Sequence, residues 1–206
     1  MTCEQARDIL IAAYQAEVEY RHGVFMDDKR CIESIGRLAE VLTMENPKFG
    51  IMLCGTCGNG KTTLLYAFRS ALNMLSRQHL WEGPKGIMVI DANEVAMSAK
   101  NIQRFRDLRS EDMLAIEDMG REPTEVMDYG NVLTPVIDLL EYRYNEQLFT
   151  IVTTNLTADE IRAKYKPRIA DRFNEMLEVI IFGSKSFRGG RQEHSRTSSG
   201  TSNPTG

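Results

Sequence analysis

Five short apolar runs recur along the chain, separated by stretches whose apolar residues follow the period of an amphipathic helix. The runs occupy residues 51–54, 87–90, 113–116, 149–154 and 178–182. They are bounded by turn-forming residues, which is typical of strands buried on both faces of a sheet. Strands that alternate with helices are joined by right-handed crossovers. The pattern therefore predicts an α/β fold of three layers, αβα, around a five-stranded parallel sheet.

Two amphipathic stretches precede the first run and form a short N-terminal helical extension, residues 1–47. In the first stretch Leu10 and Tyr14 lie on one apolar face, and Asp27 or Asp28 can cap the second. The apolar faces either cover the sheet or dock into a groove on a partner protein.

The segment between the third and fourth runs is predicted as a loop over residues 120–124 and then one long helix to about Glu146. Pro135 fits this helix in its first turn, with Thr134 as the cap; otherwise it marks a kink. After the fourth run, Pro167 is expected to divide the chain into two helices.

Residues 100–109 form a basic run on a helix that is expected to begin near Asn93. Four cationic side chains are interleaved there with Phe105, although the formal net charge of the whole chain is −4. That negative charge argues against a protein coated for nonspecific nucleic-acid binding, so a nucleic-acid contact would need a local patch. The run is either a solvated helix face or a surface that contacts DNA phosphates.

Composition indicates an ordinary soluble protein, with 42% hydrophobic and 26% charged residues among 206. The chain shows neither a membrane-length apolar segment nor a signal peptide, so a cytoplasmic location without membrane attachment is expected. Cys54 and Cys57 spell C-x-x-C, but a second such pair that would complete a zinc site is missing from the sequence. The glycine- and serine-rich residues 189–206 are predicted to be disordered.

The first apolar run leads into GTCGNGKT, which is the complete G-x-x-x-x-G-K-[ST] pattern in a strand, loop and helix context. Its glycines allow backbone N–H groups to converge on a phosphate at a helix N-terminus. Lys61 would contact the β- and γ-phosphates, and the hydroxyl of Thr62 would bind Mg²⁺. The predicted nucleotide-binding residues are Gly55, Thr56, Cys57, Gly58, Asn59, Gly60, Lys61, Thr62 and Thr63.

Two acids follow the third apolar run, where ligands of parallel sheets bind. Glu117 and Asp118 can hold Mg²⁺ and orient or deprotonate water. The fourth run ends at Asn155, which either positions water against the γ-phosphate or belongs to a helix-capping turn. Further on, Arg168 and Arg172 share a helix face and have no obvious partner elsewhere in the chain. They are interpreted either as arginine fingers for a neighbouring subunit or as surface ion pairs.

Together, the strings GTCGNGKTTLL, MLAIEDMG, EYRYNEQLFTIVTTNLTADEI and RIADRF resemble the AAA+ ATPase domain of DnaC-type bacterial replicative helicase loaders and their IstB-type relatives in transposition. The resemblance covers residues 48–188 and implies a P-loop NTPase of the AAA+/ASCE class without a helical lid. It also implies ATP and Mg²⁺ bound between subunits of a homo-oligomer on single-stranded DNA. The implied client is a replicative helicase, or a transposase or other recombinase.

The resemblance assigns roles to the candidate residues. Residues 55–63 match Walker A, Glu117 and Asp118 match Walker B, and Asn155 matches sensor 1. Arg172 matches the arginine finger, with Arg168 as an accessory residue, and the basic run lies where such proteins face DNA.

The order of the two acids departs from the family, which has Asp first and then Asp or Glu. A longer acid at the metal position and a shorter one at the water position predict slow hydrolysis with ATP binding intact. The alternatives to a helicase loader are a partner-binding module that holds ATP without turnover and a small-molecule kinase. The short N-terminal extension leaves the client open.

Overall fold

The computed structural model describes residues 1–25, 28–56, 58, 60–78 and 86–182. The predicted disorder of residues 189–206 lies outside this part of the chain, as do Asp27 and two members of the predicted phosphate loop, Cys57 and Asn59.

A parallel sheet of five strands occupies the centre of the molecule. Its strands are β1 (Gly50–Gly55), β2 (Met88–Asp91), β3 (Met113–Met119), β6 (Phe149–Thr154) and β7 (Glu178–Phe182), in the order β2-β3-β6-β1-β7. All five predicted strands are present, and the prediction of a P-loop αβα fold is confirmed. In this order β1 and β6 are neighbours, as are β6 and β3, so the segments after these three strands meet at one edge.

Side chains of β1 point alternately to the two faces of the sheet, and each face is covered by its own hydrophobic cluster. Ile51 and Leu53 face one hydrophobic cluster, and Met52 faces the other. The first cluster contains residues of helices α1 (Cys3–Tyr20), α2 (Lys29–Thr43) and α3 (Lys61–Arg77). The second contains residues of α4 (Ala92–Ser98), α5 (Ile102–Arg109), α6 (Pro135–Asn145) and α7 (Ala158–Met176). The three-layer arrangement follows directly from these two clusters.

The two N-terminal helices cover the sheet. The side chains of Leu10 and Tyr14 are buried in the same cluster as α3, and α2 packs against the edge strand β7. Asp28 caps α2 by accepting a hydrogen bond from the N–H of Arg30 at 3.0 Å. Among the described residues, no helix is both long and apolar enough to cross a bilayer.

The prediction of one long helix up to Glu146 is wrong in its first half. An antiparallel hairpin forms there from β4 (Val126–Asp128) and β5 (Asn131–Leu133). The two linking residues, Tyr129 and Gly130, have φ of +45° and +86°, as in the tight turns that join hairpin strands. Helix α6 begins only at Pro135. The prediction that Pro135 lies in the first turn of its helix is therefore confirmed, and the alternative of a kink is not.

Two further helix boundaries are set by single residues, Asn101 and Pro167. The helix expected from Asn93 through residue 109 is interrupted, because Asn101 accepts a hydrogen bond from the N–H of Arg104 and starts α5 as a new helix. Pro167 divides α7 as predicted, with Lys166 before it at φ +71° and ψ +156°.

Candidate nucleotide-binding site

The loop after β1 has the backbone conformation that its glycines permit. Gly55, Gly58 and Gly60 have φ of +145°, +83° and +94°. A Cβ atom added to Gly60 would lie 2.5 Å from the hydroxyl oxygen of Tyr14 on α1. Position 60 therefore requires glycine both for its backbone and for the space around it, and α3 begins directly after it.

Lys61 joins the ends of two neighbouring strands. Its ammonium group donates to the carbonyl oxygens of Gly55 and Thr56 at 2.6 and 2.9 Å, and to Oδ1 of Asn155 at 2.8 Å. The residue is only 6% exposed, and these acceptors offset the cost of burying its charge. Lys61 and Asn155 lie far apart in the sequence and are thus brought together at the phosphate loop.

The two acids lie in an irregular part of β3. Pairing between β3 and β6 shifts register between Ile116 and Met119, and Asp118 has φ of +53°. Such bulges redirect side chains at strand ends. Thr153 and Thr154 stabilise the irregularity from β6, since Thr153 Oγ1 accepts from the N–H of Asp118 at 3.0 Å and Thr154 Oγ1 donates to Met119 O at 2.7 Å.

The carboxylates of the two acids have different partners. Glu117 Oε2 accepts a hydrogen bond from the hydroxyl of Tyr66 at 3.0 Å. Asp118 Oδ2 lies 2.7 Å from Nη1 of Arg121, which is half exposed. Tyr66 lies on α3, one turn after Thr62, so these contacts connect the acids of β3 with the helix that follows the phosphate loop.

Arg168 and Arg172 both have a partner within the chain, namely Glu141 on α6. Arg172 Nη1 lies 2.8 Å from Glu141 Oε1 without the alignment of a hydrogen bond, and its guanidinium stacks over Tyr144. Arg168 Nε lies 3.5 Å from the same oxygen. The expectation that both lack an obvious partner in this chain is wrong, and surface ion pairs do form. Their role as fingers stays a prediction.

A buried carboxylate that sequence reasoning missed follows the two acids. Glu122 is 1% exposed and accepts hydrogen bonds from the N–H of Gly120 at 2.8 Å and from the hydroxyl of Tyr165 on α7. Lys164 donates to the carbonyl oxygens of Gly120 and Glu122 at 3.0 and 2.6 Å. Burial and the Glu122 carboxylate raise the pKa of Tyr165, so its hydroxyl remains a donor. These contacts connect the loop after the acids to the helix that carries the two arginines.

The basic run lies mostly on α5, with Arg104 and Arg106 exposed. Phe105 packs partly against the second core cluster and does not interleave with the cations at the surface. Buried Arg143 fixes the end of α5 by donating to the carbonyl oxygens of Arg109 and Glu111 at 3.0 and 2.7 Å. Burial lowers the pKa of Arg143 to about 10, which leaves it protonated at neutral pH.

Comparison with known proteins identifies the fold. No family model matches the chain, and no curated protein matches it significantly. The DnaC helicase loader is similar in structure, with a TM-score of 0.55 and 21% identity, over 72% of this chain and 90% of that one. DnaI has a TM-score of 0.57 and 22% identity, over 80% and 88% of the two chains.

The AMPPCP-bound DnaA of Aquifex aeolicus is also similar, with a TM-score of 0.52 and 16% identity, over 76% of this chain and 48% of that one. The resemblance to DnaC-type helicase loaders is thus confirmed at the level of structure. The chain has the fold of an AAA+ P-loop ATPase domain.

Proposed function

We propose that this chain is an ATP-binding, slowly hydrolysing AAA+ ATPase that acts in DNA replication in the manner of a helicase loader. The observation that carries the proposal is the contact of 2.8 Å between Lys61 and Asn155, beside the acids at the end of β3. These groups are the cation, the polar sensor and the carboxylates that phosphoryl transfer requires.

The residues present fit ATP and Mg²⁺. The positive φ angles of Gly55, Gly58 and Gly60 give the phosphate loop the kind of backbone conformation in which N–H groups converge on an anion. Lys61 supplies the cation for the β- and γ-phosphates, while Thr62, Glu117 and Asp118 supply oxygen ligands for Mg²⁺. Mg²⁺ bound there would neutralise charge on the phosphates.

Slow turnover is supported by the surroundings of Asp118. As the water-activating acid it has a short side chain, and its Oδ2 is engaged by Arg121 at 2.7 Å. General-base assistance is worth about 10²- to 10⁴-fold in rate, so a poorly placed base costs much of that factor. The same contact favours the alternative of a module that holds ATP with little turnover.

Two features support assembly and a DNA-processing client. The fold is shared with the DnaC helicase loader and with DnaI, and Arg168 on α7 is exposed beside Arg172. We therefore propose a homo-oligomer bridged by ATP on single-stranded DNA. A replicative helicase is the proposed client, and a transposase or other recombinase is the alternative.

Titration of a fluorescent ATP analogue tests nucleotide binding. Lys61→Ala is expected to weaken affinity about 10- to 100-fold, because a buried cation that contacts phosphates contributes one or more charge-assisted hydrogen bonds. Lys29→Ala is the matched control, since Lys29 is exposed at the start of α2. Equal affinity of wild type and folded Lys61→Ala would overturn the proposal.

Co-purification with the untagged chain in the presence of ATP or ADP identifies the client. ATP-dependent recovery of a replicative helicase is the expected result. Recovery of a transposase instead would support the alternative, in which the same ATPase acts on a transposase.

A further inference from the structure

Tyr66 provides a contact to the candidate metal site that lies outside the known motifs. Its hydroxyl donates to Oε2 of Glu117 at 3.0 Å, across the gap between α3 and β3. Thr62 precedes Tyr66 by four residues, so both side chains lie on the same face of α3. The helix thus presents a hydroxyl for Mg²⁺ and, one turn later, a phenol for the carboxylate beside it.

The ring of Tyr66 is held from two sides. The guanidinium carbon of Arg21, at the end of α1, lies 5.1 Å from the ring centroid, and that of Arg69 lies 5.9 Å away. Arg21 is itself fixed by an ion pair of 2.6 Å with Glu17. These contacts involve the ring, so a phenylalanine would keep them. Only the hydroxyl of Tyr66 forms the hydrogen bond with Glu117.

A glutamate at position 117 needs such a contact more than an aspartate would. Glutamate carries one more rotatable bond, and each rotamer-rich side chain that is ordered loses conformational entropy. A hydrogen bond to Oε2 restricts the longer chain and leaves Oε1 available to a cation.

We propose that Tyr66 is a positioning residue that orients Glu117 as a ligand of Mg²⁺, and that it compensates for the extra length of glutamate at this position. The inference rests on the proposed function. It concerns how the carboxylate is held, and assigns Tyr66 no contact with nucleotide.

Nucleotide affinity measured over a Mg²⁺ titration, and again with excess EDTA, tests the role of Tyr66. Orienting contacts behind a metal ligand are typically worth about 10- to 100-fold in metal affinity. Tyr66→Phe is therefore expected to raise the Mg²⁺ concentration for half-maximal ATP-analogue binding by about tenfold and to leave the affinity in EDTA unchanged. Tyr142→Phe is the matched control, since Tyr142 also lies under an arginine, Arg109, at 4.4 Å.

A double-mutant cycle with Glu117→Asp separates positioning from a general structural effect. Aspartate withdraws the carboxylate by about 1.5 Å, beyond reach of the Tyr66 hydroxyl. Tyr66→Phe should then have no further effect on the Mg²⁺ requirement in the Glu117→Asp background.

Two results would overturn the inference. One is a folded Tyr66→Phe variant whose Mg²⁺ requirement equals that of the wild type. If the wild type binds ATP and Lys61→Ala does not, this result would leave the proposed function standing. The other is an equal effect of Tyr66→Phe in both backgrounds, which would indicate packing. Failure of wild type to bind ATP would instead overturn the proposed function, and this inference with it.

Discussion

Arg172 and Arg168 share one carboxylate, Glu141, but differ in exposure. The side chain of Arg172 is 14% exposed and that of Arg168 is 72% exposed. An exposed ion pair is worth about 0 to 1 kcal/mol, so releasing Arg168 from Glu141 would cost little, whereas the more buried Arg172 would lose more on release. Arg168 is thus the more accessible of the two arginines and Arg172 the more buried, and their roles as finger and accessory residue stay predictions.

A subunit-mixing experiment tests the finger. Arg172→Ala is expected to lower hydrolysis by about 10³-fold with ATP affinity kept, since fingers act on the transferring phosphoryl group. Mixed with Lys61→Ala, which keeps its finger, it should regain about a quarter of wild-type activity, because one in four neighbour pairings then combines an intact site with an intact finger. Arg162→Ala, on the same helix, is the control. Failure of the mixture to regain activity would place Arg172 within its own subunit's structure.

Residues within sequence motifs could be predicted as members of the site, whereas residues that reach it only through the fold could not. The contact between Lys61 and Asn155 follows from motif spacing and from the neighbouring strands β1 and β6 that precede these residues. Tyr66 and Glu122 do not, because their partners Glu117 and Tyr165 come from elements distant in the sequence. A tyrosine on a helix and a glutamate in a loop carry no signal of burial by themselves.

Helix α1 reaches the phosphate loop at Gly60. Tyr14 is 4% exposed, and its hydroxyl occupies the space beside Gly60. Burial and then the Cys31 thiol on α2 raise the pKa of Tyr14, so the hydroxyl stays protonated. The face of α1 that carries Tyr14 is thereby committed to the ATPase core, and a partner that binds α1 would have to use its outer face.

Chemical denaturation tests the docking of α1. Tyr14→Ala is expected to lower the free energy of unfolding by about 3 kcal/mol, because a large buried aromatic leaves a cavity. Tyr20→Ala on the same helix, 81% exposed, should change it by less than about 0.5 kcal/mol. Similar small losses in both variants would show that α1 contributes little to the core.

The elements also show which patterns are informative. Buried runs with flanking turns predicted all five strands, because strands covered on both faces have little tolerance for polar residues. The hairpin of β4 and β5 was missed because its strands have three residues each and their side chains are largely exposed. Short exposed strands leave no alternation to detect.

At the scale of the whole molecule, the proposed contact with DNA depends on where positive charge is exposed. The chain has a net charge of −4, so contact with DNA depends on a local surface, and Arg104 and Arg106 on α5 are exposed. Arg143 on α6 connects the end of that helix to the sheet, because it donates to Arg109 O at 3.0 Å and to Phe149 O on β6 at 2.7 Å. A contact on α5 could therefore be transmitted to the strands that carry the site.

Hydrolysis measured with and without single-stranded DNA tests this arrangement. Basal turnover should be well below one per second and should rise when DNA is added. The double variant Arg104→Ala with Arg106→Ala should weaken DNA binding and reduce the slope of log affinity against log salt by about 1.4, for two lost phosphate contacts. Arg37→Ala on α2 is the control.

Many turnovers per second in the absence of DNA and partner would contradict slow hydrolysis. An unchanged salt dependence in the double variant would remove α5 from the DNA-binding surface. Phosphate transfer to a metabolite would support a kinase.

The left-handed backbone at Asp118 limits which residues can replace this aspartate. At φ of +53° aspartate and asparagine are tolerated, whereas other non-glycine side chains lose about 1 to 2 kcal/mol. A lineage under selection for faster turnover could not simply exchange the second acid for glutamate, since the new residue would strain the peptide that presents it. If the proposed ATPase is slow because this acid is short, a faster variant would first need β3 to lose its register shift at this position.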